Sequence, residues 1–165
     1  QALHELRTQI ISPMTDELKT DKEEDADELF QQHIEAQCKR LRILGFTGTP
    51  IIRGNLNAMD KSLLPSLQTV CTEILNNIAK HGKPGAFAFI LSVGPDAVRI
   101  FASNLYNAAI NSAPENHYGT ALIQDFAQQH NGTMTINSEN EEWSLSLTIP
   151  LAHQVKLMFS PTEKL

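Results

Sequence analysis

Four polar residues near the middle of the chain are spaced so that an α-helix would carry them on one face. Glu73, Asn77, Lys80 and His81 stand at positions i, i+4, i+7 and i+8, and such spacings place side chains close together on a helix. A carboxamide oxygen suits Mg²⁺, a lysine attracts phosphate, and a glutamate can orient or deprotonate an attacking group. The combination fits a metal-bound polyphosphate. On spacing alone, a solvated helix face with a charge pair is the simpler interpretation.

The segment around these residues has the pattern of an amphipathic helix. Its other face is apolar and suits a core: Val70, Ile74, Leu75 and Ile78. Two glycines and a proline in residues 82–85 end the helical pattern abruptly. We therefore predict a helix over about 61–81, with the polar face at its C-terminal end.

The rest of the chain alternates helical segments with pairs of strands. Helices are predicted at 2–18, 25–44 and 118–130, and strands at 46–53, 86–93, 97–104, 133–138 and 143–150. The mostly charged stretch Asp16 to Asp27 is interpreted as a solvated linker or an exposed helix start. The order predicts an α/β fold, a two-layer sandwich whose mixed, mostly antiparallel sheet is covered on one face by helices.

Composition and charge limit the class of protein. The chain has 165 residues, of which 41% are hydrophobic and 19% charged, so it reads as an ordinary globular protein. Its formal net charge of -6 argues against nucleic acid or an anionic membrane as a partner. Two isolated cysteines, Cys38 and Cys71, lie in apolar helical patterns and are predicted to be buried thiols. No apolar run approaches the length that spans a bilayer.

The motif Glu-x-x-x-Asn-x-x-Lys-His at the end of a helix resembles the N box of the Bergerat-fold ATP-binding domains. Sensor histidine kinases, the gyrase B subunit, the Hsp90 chaperone and the MutL repair protein share that fold. The Lys-His ending is most similar to histidine kinases that pair with NarL-type response regulators, and the resemblance extends over about residues 2–150. It implies ATP and Mg²⁺ as ligands, Asn77 as the metal ligand, Lys80 and His81 near the phosphates, and Glu73 as the catalytic carboxylate.

The resemblance is weaker at the next motif, the G1 box. The family has an aspartate there that recognises the adenine amino group, followed by glycines, whereas this chain lacks both and carries Asn104 in the corresponding place. A carboxamide oxygen can also accept a hydrogen bond from an exocyclic amine. Asn104 is therefore either the adenine contact or a residue that ends a strand and starts a turn.

A second glycine motif of the family, Gly-x-Gly-Leu at the start of a helix, is matched in part. Gly119-Thr120-Ala121-Leu122 stands about 40 residues after the N box, and the preceding segment 105–118 is interpreted as the mobile ATP lid. A helix N-terminus offers N–H donors and a favourable dipole to phosphate. Ala121 replaces the second glycine; it is strained if the backbone there needs a positive φ, and harmless if the backbone is already helical.

Near the N-terminus, Leu3-His4-Glu5-Leu6-Arg7-Thr8 looks like a phosphorylation H box. The separation of 73 positions from His4 to Asn77 is too short to include a second dimerisation helix. The segment is more similar to the end of that second helix, so His4 is interpreted as a surface residue. The predicted domains are 1–20 as dimerisation helix end and linker, 21–152 as the ATP-binding domain, and 153–165 as a tail.

The resemblance implies a sensor histidine kinase catalytic domain that donates the γ-phosphate of ATP to a histidine on a dimerisation helix outside this chain. The implied partners are that phospho-acceptor domain and a response regulator, with a homodimeric, membrane-anchored parent and this part in the cytoplasm. The alternative is a degenerate module of the same fold that binds nucleotide weakly or not at all and acts through protein contacts. An anti-sigma-factor serine kinase is a related enzyme alternative.

Overall fold

The computed structural model describes residues 15–107 and 118–151. A short 3₁₀ turn, Leu56–Ala58, lies before the second helix. The helices and strands within the described ranges are α1 Thr15–Ile43, β1 Ile51–Gly54, α2 Leu63–His81, β2 Gly82–Val93, β3 Ala97–Tyr106, α3 Tyr118–Gln129, β4 Thr133–Glu139 and β5 Glu142–Pro150.

The five strands form one mixed sheet in the order β1-β2-β3-β5-β4. β1 runs parallel to β2, and the other neighbouring pairs are antiparallel. β5 lies between β3 and β4. The second strand of the β4–β5 hairpin therefore pairs with β3, and β4 forms the edge of the sheet. The predicted mixed, mostly antiparallel sheet is confirmed.

Only one face of the sheet lies against the helices. Along β2 and β3, Phe89, Leu91 and Ile100 are almost fully buried, whereas Arg99 and Phe101 on the other face are exposed. Because successive side chains of a strand point to opposite faces, this alternation identifies a sheet covered on one side. Apolar residues of all three helices complete the core against it: Phe30 and Ile34 of α1, Ile74 and Ile78 of α2, and Ile123 and Phe126 of α3.

The N-terminal helix differs from the sequence prediction. α1 runs without a break over Thr15–Ile43, so the linker interpretation of residues 16–27 and the predicted helix start near 25 are wrong. Residues 15–43 contain no glycine and no proline, and most of the charged residues there are good helix formers. The density of charge in this stretch is therefore compatible with a helix. The predicted helix at 2–18 and the interpretation of His4 fall mainly outside the described residues.

The predicted strand at 46–53 is also shorter than expected. Regular pairing with β2 covers only Ile51–Gly54, and Thr47 makes an isolated parallel bridge to Ala86. Pro50 has no N–H for the ladder. Gly48 packs so closely on β2 that a Cβ atom there would lie 2.5 Å from the Phe87 carbonyl oxygen. The remaining strand and helix bounds agree with prediction to within a few residues at each end, except that β2 begins four residues early, at Gly82.

Both cysteines are free thiols in the core, as the sequence predicts. Burial raises the pKa of Cys38 to about 11, with a further upward contribution from the Glu35 carboxylate, and burial alone raises the pKa of Cys71. At pH 8 we therefore expect both thiols of the folded protein to react with a thiol reagent on the order of 100-fold more slowly than in denaturant. Absorbance-monitored thiol titration measures this, and rapid labelling of either folded-state thiol would contradict the buried placement.

Within the described ranges, none of the helices is both long enough and apolar enough to cross a membrane.

Candidate functional site

The polar residues singled out by their spacing all lie on the C-terminal half of α2. Glu73, Asn77 and His81 are partly buried, and Lys80 is exposed. His81 is the last residue of the helix. The apolar residues predicted for the other face are buried, which fixes the rotation of α2 about its axis: Val70, Ile74, Leu75 and Ile78. The predicted helix and its two faces are confirmed, while the chemical roles of the four polar residues remain predictions.

Asn77 has an unusual hydrogen-bonding state. Its Nδ2 atom is buried and has no hydrogen-bond partner. Leaving a buried amide donor unpaired costs about 1–3 kcal/mol, and such a group in a folded protein calls for an explanation. A bound ligand or water that accepts from Nδ2 would remove this cost. Asn77 is therefore the residue of the polar face that most directly indicates an incomplete site.

Asn104 lies in β3 and faces the core side of the sheet, where it is 4% exposed. The interpretation that it ends a strand is wrong, because β3 continues to Tyr106 and Asn104 is paired with both Phe87 and Trp143 in the ladder. Its Nδ2 atom donates a hydrogen bond to the Leu105 carbonyl oxygen at 2.7 Å. The structure thus places this carboxamide on the buried side of the sheet, and its role as the adenine contact stays a prediction.

Gly82 lies in close contact with both Asn104 and the end of α2. From the sequence, Gly82 was predicted only to end the helix. A Cβ atom on Gly82 would lie 2.5 Å from the Ile78 carbonyl oxygen, 2.7 Å from Asn104 Nδ2 and 2.9 Å from the Phe46 ring. Its backbone is extended, so the requirement is for space and not for a positive φ. The chain passes directly from His81 into this contact, which brings Asn104 beside the end of the helix that carries Lys80 and His81.

α1 packs along another side of α2 and contacts it through polar side chains. His33 Nε2 lies 2.8 Å from Thr72 Oγ1, and Thr72 Oγ1 in turn donates to the Gln68 carbonyl oxygen at 2.8 Å. Because the hydroxyl proton is used there, His33 is the donor in the first pair. Nearer the candidate site, Arg40 Nη1 donates to Asn76 Oδ1 at 3.5 Å. Asn76 thus contacts α1 through Arg40, whereas no such hydrogen bond reaches Nδ2 of the neighbouring Asn77.

The second glycine motif lies in the first turn of α3. Gly119, Thr120, Ala121 and Leu122 all fall within the helix Tyr118–Gln129, and Ala121 is not among the described residues with positive φ. Ala121 is therefore compatible with its backbone, since alanine is favourable in a helix. Ala121 and Leu122 are exposed. Of the predicted lid, residues 105 and 106 belong to β3, and 108–117 fall outside the described residues.

A groove of about 460 Å³ separates α2 and α3. It lies along the first half of α2, and its α2 residues Ser66 and Thr69 precede Glu73 by seven and four residues, so they share one side of the helix with it. It is lined by Ser66, Thr69 and Val70 of α2 and by Leu122, Asp125, Phe126 and Gln129 of α3. The groove shows that the two helices are not packed tightly along their whole length.

The part of the chain that the structure describes contains no cluster of three or more His, Cys, Asp or Glu residues that could hold a metal ion. A zinc-type site is thus not built there. Magnesium has a different requirement, because it retains several water molecules and often takes only one or two protein oxygens together with substrate phosphates. A single carboxamide oxygen from Asn77 fits that type of coordination.

Comparison with solved structures identifies the fold. The chain superposes on the catalytic domain of the histidine kinase ThkA with a TM-score of 0.56 and 12% sequence identity, covering 76% of this chain and 93% of that domain. It superposes on the Acinetobacter baumannii histidine kinase AdeS with a TM-score of 0.55 and 10% identity, covering 78% of this chain and 64% of AdeS. For the blue-light activated histidine kinase EL346 of Erythrobacter litoralis, the values are 0.53 and 11%, covering 73% and 41%.

The sequence itself matches no family model and no curated protein. The structural superpositions nevertheless show that the chain has the fold of histidine kinase catalytic domains, at a sequence identity of 10–12%. The same comparisons do not distinguish a NarL-type class from other histidine kinases.

Proposed function

We propose that this chain contains the ATP-binding catalytic domain of a two-component sensor histidine kinase. In this proposal, it binds Mg-ATP and presents the γ-phosphate to a histidine on a dimerisation helix. Support comes from two independent sources, the fold shared with histidine kinase catalytic domains and the polar face on α2. A shared fold alone does not establish an activity, so the residues of the site must carry the argument.

The observation that carries the proposal is the unpaired amide of Asn77. Its carboxamide group has one oxygen to offer a hard cation and a buried Nδ2 donor that lacks an acceptor. A phosphate oxygen or a metal-bound water would satisfy the donor while Oδ1 faces Mg²⁺. A residue of a solvated helix face would not need to bury this donor. The magnesium ion would supply neutralisation of the charge on the phosphates.

Neighbouring residues of α2 would bind the phosphates and orient the accepting group. Lys80 and His81 lie one turn beyond Asn77, at the C-terminal end of the helix, where cations are favoured by the helix dipole and can pair with phosphate oxygens. Glu73 lies one turn before Asn77, and its carboxylate would orient the accepting histidine or receive its proton. Phosphoryl transfer needs chiefly such positioning and charge neutralisation.

Two further elements would complete the nucleotide site. The first turn of α3, with Gly119 and Thr120, offers backbone N–H groups to phosphate. Asn104 would contact the adenine base.

The proposal extends to the parent protein and its partners. The parent would be a membrane-anchored homodimer with this domain in the cytoplasm, and the domain would act on its own dimerisation domain and, through it, on a response regulator. The net charge of -6 favours such protein partners over nucleic acid. By itself, the chain would show little phosphotransfer, because the accepting histidine lies elsewhere.

Calorimetric titration tests the proposal. The chain is titrated with ADP and with a slowly hydrolysed ATP analogue, each with Mg²⁺ and again with a chelator in place of the metal. We expect saturable binding that requires Mg²⁺, with a dissociation constant below about 1 mM, equivalent to about -4 kcal/mol. Absence of binding at that concentration would contradict the proposed function.

The degenerate module remains the second candidate, and one observation favours it. The side chain of Asn104 is already engaged with the Leu105 carbonyl oxygen, and the family's G1 aspartate and glycines are missing. Such a domain would retain the fold but act through contacts with a partner kinase or response regulator. The unpaired donor of Asn77 argues against it, because a module without a ligand has no physical reason to leave that amide unsatisfied.

A further inference from the structure

The two edges of the sheet differ in how well they are protected against further strand pairing. β1 is an edge strand of four residues, with Pro50 directly before it and the exposed charge of Arg53 within it, and short length, proline and charge all hinder the addition of another strand. β4 extends over seven residues in continuous register with β5. It contains no proline, and its single charge, Glu139, is its last residue. Within residues 15–107 and 118–151, no strand pairs with the outer side of β4.

The hydrogen bonds at the two ends of β5 show which residues of β4 direct their backbone outward. Just before β5, the Glu141 carbonyl oxygen accepts from the N–H of Tyr106. Just after it, the N–H of Leu151 donates to the Asp96 carbonyl oxygen. Odd-numbered residues of this strand thus bond toward β3, and because backbone groups alternate in direction, the even-numbered ones bond toward β4. The register then leaves three residues of β4 whose N–H and C=O groups point away from the sheet: Met134, Ile136 and Ser138.

The turn between β4 and β5 gives the same assignment. Asn140 and Glu141 both have a positive φ, 54° and 63°, as the type I′ turn of a two-residue hairpin requires. Such a turn is closed by a hydrogen bond between the residues that flank it, here Glu139 and Glu142. Glu139 therefore bonds toward β5, and alternation along β4 again directs the N–H and C=O of Ile136 outward.

These outward backbone groups are self-complementary. If two copies of β4 lie antiparallel with their Ile136 residues opposite each other, Met134 of one copy lies opposite Ser138 of the second copy. All the outward residues then form hydrogen-bonded pairs, with about six hydrogen bonds in total. The charges are compatible as well, because Glu139 meets the uncharged Thr133 of the second copy and the two glutamates lie at opposite ends of the paired strands.

The side chain of Ile136 adds an apolar contact at the centre of this pair. Its ladder partner Leu145 lies on the same face of the sheet and is fully buried, yet Ile136 is 37% exposed. In the antiparallel pair the two Ile136 residues would lie on one face with their Cα atoms about 5.5 Å apart. Pairing would therefore remove from water an apolar side chain that the single domain leaves half-exposed.

We propose that β4 is a docking edge for a second copy of this chain, with two antiparallel β4 strands centred on Ile136 joining the two sheets into one. A second copy is the occupant because the backbone directions and the charges of β4 match those of β4 itself. The contact involves one strand from each copy and buries little area, so the association is weak and depends on concentration. This inference uses no residue of the candidate nucleotide site and does not depend on the proposed function.

Sedimentation equilibrium of the unaltered chain measures the association. We expect the average mass to rise toward that of a dimer as the concentration approaches about 1 mM, with a dissociation constant below about 0.2 mM. Amide hydrogen exchange then locates the contact: the amides of Met134, Ile136 and Ser138 should exchange at least about threefold more slowly at the high concentration than in dilute protein. A monomeric mass throughout, or a dimer that leaves these amides unprotected, would overturn the proposal. Protection already present in dilute protein would also overturn it, because another part of the same chain would then cover the edge.

Proline substitutions test the two backbone directions. Ile136→Pro removes an outward N–H, so the single domain should still fold, as proline is tolerated where an edge N–H faces solvent, but its mass should stay monomeric at about 1 mM. Ile136→Ala is the matched control, because it keeps the N–H and should associate within about fivefold of the unaltered affinity. Thr135→Pro removes an N–H that bonds to β5 and should melt at least about 5 °C below Ile136→Pro. Equal melting of the two proline variants, or equal association of Ile136→Pro and Ile136→Ala, would contradict the assigned edge.

Discussion

Asn77→Ala is expected to weaken magnesium-dependent nucleotide binding by about 100-fold or more, since even the loss of groups that only support a metal ligand costs about 10- to 100-fold. The same change should not lower the stability of the ligand-free protein. It removes a buried donor without a partner, and alanine is the better helix former by about 0.5 kcal/mol. Titration with Mg-ADP and denaturant unfolding of the free chain measure the two effects.

Opposite effects on binding and on stability separate a ligand-binding role from a structural one. If Asn77 were part of the framework, its removal would lower both. The neighbouring residue gives a matched control: Asn76 is also in α2, but its Oδ1 accepts from Arg40 of α1 at 3.5 Å. Asn76→Ala should leave nucleotide affinity within about threefold of the unaltered chain. Equal loss of binding in the two variants would show that the amide of Asn77 has no special part in the site.

The largest effect on stability is expected at the centre of the sheet. Phe89 in β2 is fully buried against the helices, and Phe89→Ala should lower the free energy of unfolding by about 3–5 kcal/mol, because it loses apolar burial and leaves a cavity. Unfolding in urea, followed by circular dichroism, measures the change. A domain of ordinary stability would lose a large share of its total in this variant.

The adjacent strand supplies the control on the opposite face. Phe101 of β3 is 39% exposed and is paired across the ladder with Ile90, so Phe101→Ala should cost no more than about 1 kcal/mol. A loss at Phe101 as large as that at Phe89 would mean that the open face of the sheet is covered in the protein. The one-sided sandwich would then be an incomplete description of the domain.

Helix α2 was predictable because its information is local. The positions of Val70, Ile74 and Ile78 repeat with the period of a helix, and the side that they leave polar carries Glu73 and Asn77. Burial of the apolar side sets the rotation of the helix about its axis, so the polar side must face away from the core. Alternation along β2 and β3 predicted the covered face of the sheet for the same reason.

The N-terminal region was predicted less well because a run of charged residues has no apolar periodicity that would distinguish a helix from a linker. The composition of Asp16 to Asp27 suits either a linker or a solvated helix. Which of the two forms depends on whether the helical turns that follow are packed into the core. Farther along α1, Phe30 and Ile34 are anchored in the core, and no glycine or proline interrupts the helix before them. Once a helix is nucleated, extending it costs little, so the charged turns follow.

The environment of Asn104 could not be read from the chain order. Its burial depends on strand pairing with Phe87 and Trp143, residues 17 and 39 positions away in the sequence. The close approach of Gly82 to Asn104 also arises only when the end of α2 lies against the sheet. The local sequence shows an asparagine at this position but does not show that its side chain is buried.

Residue types and local periodicity were enough to establish the two-layer fold class, the helix that carries Glu73, Asn77, Lys80 and His81, and the side of that helix that stays polar. These follow from repeats of a few residues, which act without reference to the rest of the chain. The strand order, the length of α1, the unpaired amide of Asn77 and the burial of Asn104 required the assembled domain. Each of them depends on contacts between segments distant in sequence or on exclusion of water, and neither exists before the chain folds.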